Sequence, residues 1–140
     1  MTRLEVATRS RQEIVDVTRD VARAVAASGV VEGLCHLFVP HTTAGLAINE
    51  NADPDVKRDL LMALDKLVPD DPDFRHAEGN SAAHLKSVLA GSGATLLISE
   101  GRIELGSWGG VYFCEFDGPR RRRLLVRVQG MNADGRQVLA

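Results

Sequence analysis

Three of the four histidines lie where secondary-structure elements are expected to begin or end. His41 follows an apolar stretch, His76 lies in an acidic loop, and His84 lies in the first turn of a segment with helical spacing. Element ends bring side chains from distant parts of a chain together, and imidazole is the commonest protein ligand of zinc and its neighbours. The three histidines are therefore a candidate divalent metal site, although no short ligand spacing such as HExxH links them.

The fourth histidine, His36, lies between Leu34 and Phe38 in the middle of an apolar run. It precedes His41 by an odd number of positions, and side chains alternate direction along a strand, so the two rings point to opposite faces. We interpret His36 as a core imidazole bonded to a backbone carbonyl and exclude it from the site.

Acids and amides flank the three candidate ligands. Glu50 follows His41 in the chain, and Glu78 lies between His76 and His84. Each could accept a hydrogen bond from an imidazole N–H group or serve as a general base. Asp53 and Asp55 are better explained as capping residues of the helix that starts at Pro54.

Two other polar stretches could contact an anion. The turn "GSWGG" carries the single tryptophan, and its glycines allow close approach of backbone N–H groups to a ligand. Lys86 and the arginine run at 120–123 supply positive charge, although a solvated hairpin tip is the simpler interpretation of the run.

The elements that must position these residues follow from hydrophobic spacing. The pattern predicts a strand over 3–8, a helix with Ile14, Val17, Val21 and Val25 on one face, a strand that ends at His41, and a helix from Asp53 to about Val68. A short helix capped by Ser81 follows, with its apolar residues facing inward: Leu85, Val88 and Leu89. Four strands then precede a peripheral tail. This order predicts an α+β fold, with helices packed on one side of a mainly antiparallel sheet.

Composition fits one globular domain over residues 1–140, with 44% hydrophobic and 26% charged residues. A net charge of -2 gives no concentrated positive field, so nucleic acid is not an expected partner. No apolar run approaches the roughly 18 residues of a membrane-spanning helix. Cys35 and Cys114 lie in apolar runs and are expected to be buried thiols, which favours a cytoplasmic protein.

Several motifs in a fixed order carry a family resemblance. The stretches "PHTTAGLAINENADPDVKRDL", "HAEGNSAAHLKS", "GRIELGSWGGVYFCEFDGPRRRRLLV" and "VQG" resemble the YjbQ family, also described as secondary thiamine-phosphate synthases. The resemblance covers about residues 4 to 130. It implies a homotrimer of compact α+β subunits with a pocket around histidines.

Matched position by position, the resemblance implies a set of site residues. The family histidines fall on His41, His76 and His84, which are assigned as metal ligands. Catalytic roles fall on Glu50 and Glu78. The family turn Gly-Thr-Trp-Gln falls on 106–109, where Ser107 keeps a hydroxyl group and Gly109 removes a polar side chain. The implied substrate-binding residues are Thr42, Thr43, Asn49, Asn80, Lys86, Ser107 and Trp108.

The resemblance implies an enzyme that joins a hydroxymethylpyrimidine diphosphate to a thiazole phosphate and releases pyrophosphate. The charge that develops on departing pyrophosphate is usually neutralised by a divalent ion and basic groups, so the expected cofactor is zinc or magnesium. This family activity is a secondary one, so the physiological role can differ from it, and the expected partner is a small phosphorylated metabolite. Two alternatives remain open from the residues. A three-histidine zinc site could hydrolyse a small phosphorylated or acyl compound, or the chain could be a trimeric ligand-binding module without catalysis. A third possibility is that the histidines only donate hydrogen bonds to an anion.

Overall fold

The computed structural model describes all residues 1–140 and contains two antiparallel sheets and three helices. The strands are β1 Thr2–Ala7, β2 Glu13–Asp16, β3 Val30–Phe38, β4 Ala44–Glu50, β5 Gly93–Ser99, β6 Arg102–Ile103, β7 Gly109–Glu115, β8 Arg121–Asn132 and β9 Gln137–Leu139. The helices are α1 Thr18–Ser28, α2 Pro54–Leu67 and α3 Ser81–Ala90.

The large sheet has the order β1-β8-β3-β5-β6, with β9 paired to the far end of β8, and the small sheet has the order β2-β7-β4. Every strand pair is antiparallel. Alternate residues of β8 are buried, and Leu124, Val126 and Val128 join side chains of the small sheet in the main core. The two sheets therefore pack face to face.

Strand β7 is buried on both faces. Val111 and Phe113 point into the main core, whereas Tyr112 and Cys114 form a second cluster with side chains of α2 and α3. Helices α2 and α3 consequently cover the outer face of the small sheet, while α1 contributes Val21 and Val25 to the main core. The α+β class is confirmed, with two sheets where the sequence pattern predicted one.

The first helix begins later than its apolar spacing predicted. Residues Glu13–Asp16 form β2, which pairs with β7, and α1 starts only at Thr18. The run Ile14-Val15-Asp16-Val17 contains three β-branched residues, which favour a strand over a helix. The side chain of Asp16 accepts hydrogen bonds from the backbone and hydroxyl groups of Thr18, which fixes the turn into the helix.

Strand β4 was not predicted, because "AGLAINE" begins with small residues of weak strand preference. Its pairing partner β7 supplies the reason for a strand here. The lack of a side chain at Gly45 has a packing role: a Cβ atom there would lie 2.8 Å from Ala90 Cβ and 2.9 Å from the Gly91 carbonyl oxygen. Helix α3 therefore lies unusually close to β4.

The buried face of α3 is the opposite of the predicted one. Ala82, Ala83, Lys86 and Ser87 are buried, and Ser87 Oγ donates to the Ala44 carbonyl oxygen at 2.7 Å. The predicted inward residues are exposed: Leu85, Val88 and Leu89. Close approach to β4 favours small side chains, which here outweighs the preference for burying large ones.

The C-terminal tail, which was predicted to be peripheral, instead forms β9, which pairs with β8 and extends the large sheet. None of the three helices is long and apolar enough to cross a membrane.

Candidate functional site

A cavity of about 400 Å³ opens where β3 ends, α3 begins and β8 begins. Apart from Pro40 its lining is polar, and it contains all three predicted histidines, His41, His76 and His84. The remaining lining residues are Thr42, Thr43, Glu78, Asn80, Asp117, Arg120 and Arg122. We call this the histidine cavity.

His41 is held by the large sheet. Its Nε2 atom accepts a hydrogen bond from the backbone N–H of Arg123 at 2.9 Å. Partial burial lowers the pKa of His41, and the positive charges of Arg122 and Arg123 act in the same direction, against the opposing effect of Glu115. The imidazole is therefore neutral near pH 7.

His76 and His84 form an edge-to-face pair across the cavity. Their ring centroids are 5.3 Å apart and the ring planes meet at 81°. Glu78 Oε2 lies 3.9 Å from His76 Nε2, which is within ion-pair reach of a protonated ring and longer than a hydrogen bond. Gly79, at φ 69°, turns the chain between these residues and the start of α3.

The histidines share a cavity without forming a metal-ligand cluster. No group of three or more His, Cys, Asp or Glu side chains in the chain has a geometry that could hold a metal ion. His41 Nε2 is already bonded to the sheet, and Arg120 and Arg122 place positive charge in the same cavity. Within this chain the predicted convergence of the three ring nitrogens on one point is not found, and the bond to Nε2 and the two arginines do not favour a divalent cation there.

The most buried charges of the site were missed by the sequence interpretation. Arg122 is 5% exposed and Glu115 is fully buried, and the guanidinium group contacts both carboxylate oxygens at 2.6 to 3.0 Å. Thr8 Oγ1 donates to the same carboxylate, while Arg122 Nη2 donates to Thr43 Oγ1. The arginine run is therefore only partly solvated, and alternation along β8 with Leu124 and Val126 indicates that Arg122 must point inward.

Asn80, Asp117 and Arg120 form a second polar chain. Asn80 Nδ2 donates to Asp117 Oδ2 at 2.9 Å, and Arg120 Nη2 donates to the same oxygen at 3.0 Å. Burial acts to raise the pKa of Asp117, but these hydrogen bonds and the charge of Arg120 outweigh it and bring the pKa below its ordinary value. Asp117 is thus ionised at neutral pH, and it holds Arg120 at the cavity wall.

Four of the predicted site residues lie away from the histidine cavity: Asn49, Glu50, Ser107 and Trp108. Strand β4 starts beside Thr43 and ends with Asn49 and Glu50, about 20 Å away at the usual strand rise. The turn with Ser107 and Trp108 lies at that far end, where Asn51 N–H donates to the Trp108 carbonyl oxygen at 2.6 Å. The structure therefore brings these residues to one another but not to the histidine cavity of the same chain.

Lys86 also lies outside the histidine cavity. It is two residues from His84 on α3, and two helical steps turn a side chain by about 200°, to the other side of the helix. Its Nζ atom donates to Asp65 Oδ1 at 2.5 Å and to Gln12 Oε1 at 2.9 Å, and its side chain is 7% exposed. Lys86 ties α3 to α2 and to the loop before β2.

An apolar surface adjoins the histidine cavity. Phe74 and Leu85, 37% and 43% exposed, line a shallow cavity of about 480 Å³ together with His76, Ser81 and His84. Two of these residues, His76 and His84, belong to both cavities. A ligand could thus place a polar group among the arginines and an apolar group against Phe74.

His36 lies on the outer face of the large sheet, where its Nδ1 atom is 3.1 Å from Thr95 Oγ1. The prediction that it points away from the site is confirmed, whereas its partner is a threonine hydroxyl and not a backbone carbonyl.

The fold and the histidine cavity together define a small α+β protein with a polar, arginine-containing pocket. The model of the family "UPF0047 protein YjbQ-like" matches residues 2–131, so the chain belongs to the YjbQ-like UPF0047 family.

Relatives and solved structures agree with this assignment. A UPF0047 protein of Methanocaldococcus jannaschii is 48% identical over 90% of this chain and 91% of its own length. The YugU protein of Bacillus subtilis, also of UPF0047, is 45% identical over 91% and 97%. A crystal structure of a family member from Clostridium acetobutylicum matches with a TM-score of 0.89 and 48% identity, covering 91% of this chain and 99% of that one.

Proposed function

We propose that this chain joins a hydroxymethylpyrimidine diphosphate to a thiazole phosphate, forming thiamine phosphate and releasing pyrophosphate. In this reaction the bond between the pyrimidine methylene carbon and the diphosphate oxygen breaks, and the electron pair leaves with pyrophosphate. A new bond forms between that carbon and the thiazole nitrogen. The observation that carries the proposal is the histidine cavity, which combines arginine side chains and imidazoles with an adjoining apolar surface.

The arginines support the diphosphate half of the proposal. Negative charge accumulates on the leaving pyrophosphate, and preorganised cationic or N–H donors stabilise such charge. Arg120 is held at the cavity wall by Asp117 and Arg122 by Glu115, so both guanidinium groups are already positioned before a ligand arrives. Guanidinium groups also match the oxygen geometry of phosphate.

The apolar surface supports the heterocyclic half. Phe74 and Leu85 offer a surface for a flat ring, and the edge-to-face pair of His76 and His84 separates that surface from the arginines. A ring carrying a phosphate group could therefore span both cavities.

A direct assay tests the proposal. Purified protein is incubated with hydroxymethylpyrimidine diphosphate, thiazole phosphate and magnesium, and thiamine phosphate is measured after oxidation to its fluorescent thiochrome. We expect product from the native chain, at least tenfold less from Arg120→Ala, and native rates from Arg121→Ala. Arg121 is the matched control, because it is exposed on β8 and lies outside the cavity lining. Rates no higher than those of His84→Ala would refute the activity, and ligand binding without turnover would favour a binding module.

We further propose that the chain works as a homotrimer in the cytoplasm. Phe38 and Leu97 are 50% and 62% exposed on the outer face of the large sheet, which supports a subunit contact there. Cys35 and Cys114 are buried free thiols whose pKa values burial raises to about 11 and about 12, which suits a reducing compartment.

A further inference from the structure

The imidazole of His41 takes the place of a strand residue at the edge of β8. Phe38 lies opposite Leu125 in the β3–β8 register, so the same register would set Pro40 opposite Arg123. Strand β3 ends at Phe38 and its pairing with β8 ends there too, while Val39 N–H still donates to the Ser92 carbonyl oxygen on the β5 side at 2.7 Å. The Arg123 N–H, which would otherwise lack a partner, donates to His41 Nε2.

This bond determines which ring nitrogen carries the proton. A neutral imidazole has one acceptor nitrogen and one donor nitrogen, and a backbone N–H can bond only to the acceptor. Nε2 is the acceptor in His41, so Nδ1 carries the hydrogen atom. Nδ1 has no hydrogen-bond partner within the chain, and the ring lines the histidine cavity.

We infer that His41 is a fixed hydrogen-bond donor whose Nδ1–H binds an anionic oxygen of a phosphorylated ligand. A metal ion could use Nε2 only by breaking the bond to Arg123, and Nδ1 only by removing its proton. Arg120 and Arg122 line the same cavity and favour the same kind of ligand. The identity of the ligand rests on the proposed function, whereas the role of the imidazole ring does not.

Two substitutions separate the two ring nitrogens. In His41→Asn the side-chain amide reaches the position of Nδ1 and can still donate to the ligand, but it does not reach Arg123. In His41→Gln the longer side chain can accept from Arg123 N–H but presents no donor at the Nδ1 position. The two variants thus serve as controls for each other.

The probe is inorganic pyrophosphate, titrated calorimetrically into the dialysed full-length protein in the presence of a chelator. We expect His41→Gln to weaken binding about tenfold or more, which is the usual effect of losing a hydrogen bond to a charged group. His41→Asn should bind within about threefold of the native protein and melt about 2 to 6 °C lower. Equal binding by His41→Gln and the native protein would overturn the inference.

A second measurement does not depend on the variants folding. Long-range ¹H–¹⁵N spectra of the native protein report the tautomer of each histidine. We expect the His41 signals to show protonated Nδ1 and unprotonated Nε2, and to remain unchanged on addition of zinc. Protonated Nε2, or zinc-dependent shifts of His41 together with loss of the Arg123 amide bond, would overturn the inference.

The outcomes also separate this inference from the proposed activity. Pyrophosphate binding with the expected order of the variants, but without thiamine phosphate formation, would retain the role of His41 and refute the activity. Thiamine phosphate formation at the native rate in His41→Gln would support the proposed activity and refute the role of His41 as a hydrogen-bond donor.

Discussion

At the scale of single residues, the buried pair of Arg122 and Glu115 is the most consequential feature for stability. Both charges are removed from water, and hydrogen bonds from Thr8 and to Thr43 satisfy most of the remaining polar atoms. Arg122→Met should destabilise the protein by about 3–5 kcal/mol, because it leaves the Glu115 carboxylate buried without its partner. Urea denaturation measures the loss.

The matched control is the double variant Arg122→Met with Glu115→Gln, which removes both charges. It should recover part of the lost stability, since no unpaired charge remains. A single variant as stable as the native protein would contradict the assignment of this pair as a buried, mutually dependent unit.

Asp65 gives a residue-scale prediction about pH. The hydrogen bond from Lys86 lowers the pKa of Asp65 below its ordinary value of 3.8, with a further contribution from Gln12. A depressed carboxyl pKa in the folded state adds stability above the unfolded-state value, and this stability disappears as the pH falls through the folded-state value. Asp65→Asn should therefore be less stable than the native protein at pH 7, and the difference should shrink as the pH falls below 3.8 through the lowered folded-state pKa of Asp65.

Urea midpoints of the two proteins between pH 7 and pH 2.5 measure that effect. Asp59→Asn on the same helix is the control, because Asp59 is exposed like Asp65 but has no side-chain partner comparable to Lys86. A difference between the native protein and the Asp65→Asn variant that stays constant across this range would show that the Lys86 contact does not depend on the Asp65 charge.

Single residues also show what the sequence could reveal. The shared cavity of the three histidines was predictable, since His41 and His84 lie near element ends, His76 lies in the loop before α3, and all three match family positions. Arg122 could have been identified from its even spacing with Leu124 and Val126. The bond between Arg123 N–H and His41 Nε2 could not have been predicted, because it depends on β3 ending at Phe38, three residues before the histidine.

At the scale of elements, the contact between α3 and β4 positions His84 relative to His41. Gly45→Ala should destabilise the protein by about 1–3 kcal/mol, because the new Cβ would meet Ala90 Cβ at 2.8 Å and the Gly91 carbonyl oxygen at 2.9 Å. Thermal unfolding followed by circular dichroism measures this loss. Ala47→Gly on the same strand is a control that removes a methyl group without a clash, and an unchanged melting temperature in Gly45→Ala would refute the close packing.

Elements differ in how well their sequences determine them. Helix α2 was predicted to within about a residue because Asp53 and Pro54 provide a local start signal, and the Asp53 side chain does accept from Asp55 N–H. Strand β4 and the buried face of α3 were missed. Both depend on close packing between small residues from separate segments, which no periodic pattern within one segment records.

At the scale of the whole molecule, the proposed trimer makes a prediction for the outer face of the large sheet. Leu97→Glu should dissociate the assembly, because it places a charge in an apolar contact, and sedimentation equilibrium should then give the mass of one chain. Val88→Glu is the control: Val88 is 78% exposed on α3, away from that face. A monomeric native protein, or a Leu97→Glu variant that remains trimeric, would contradict this contact surface.

The central claim is that the histidine cavity binds the phosphate groups of its ligand through His41 and the arginines. A crystal structure of the protein with pyrophosphate tests it most directly. We predict pyrophosphate in this cavity, with one oxygen about 2.7–3.0 Å from His41 Nδ1 and another in contact with Arg120, while Nε2 still accepts from Arg123. Pyrophosphate bound beside Trp108 or Lys86 instead, or a metal ion coordinated by His41 Nε2, would contradict the account.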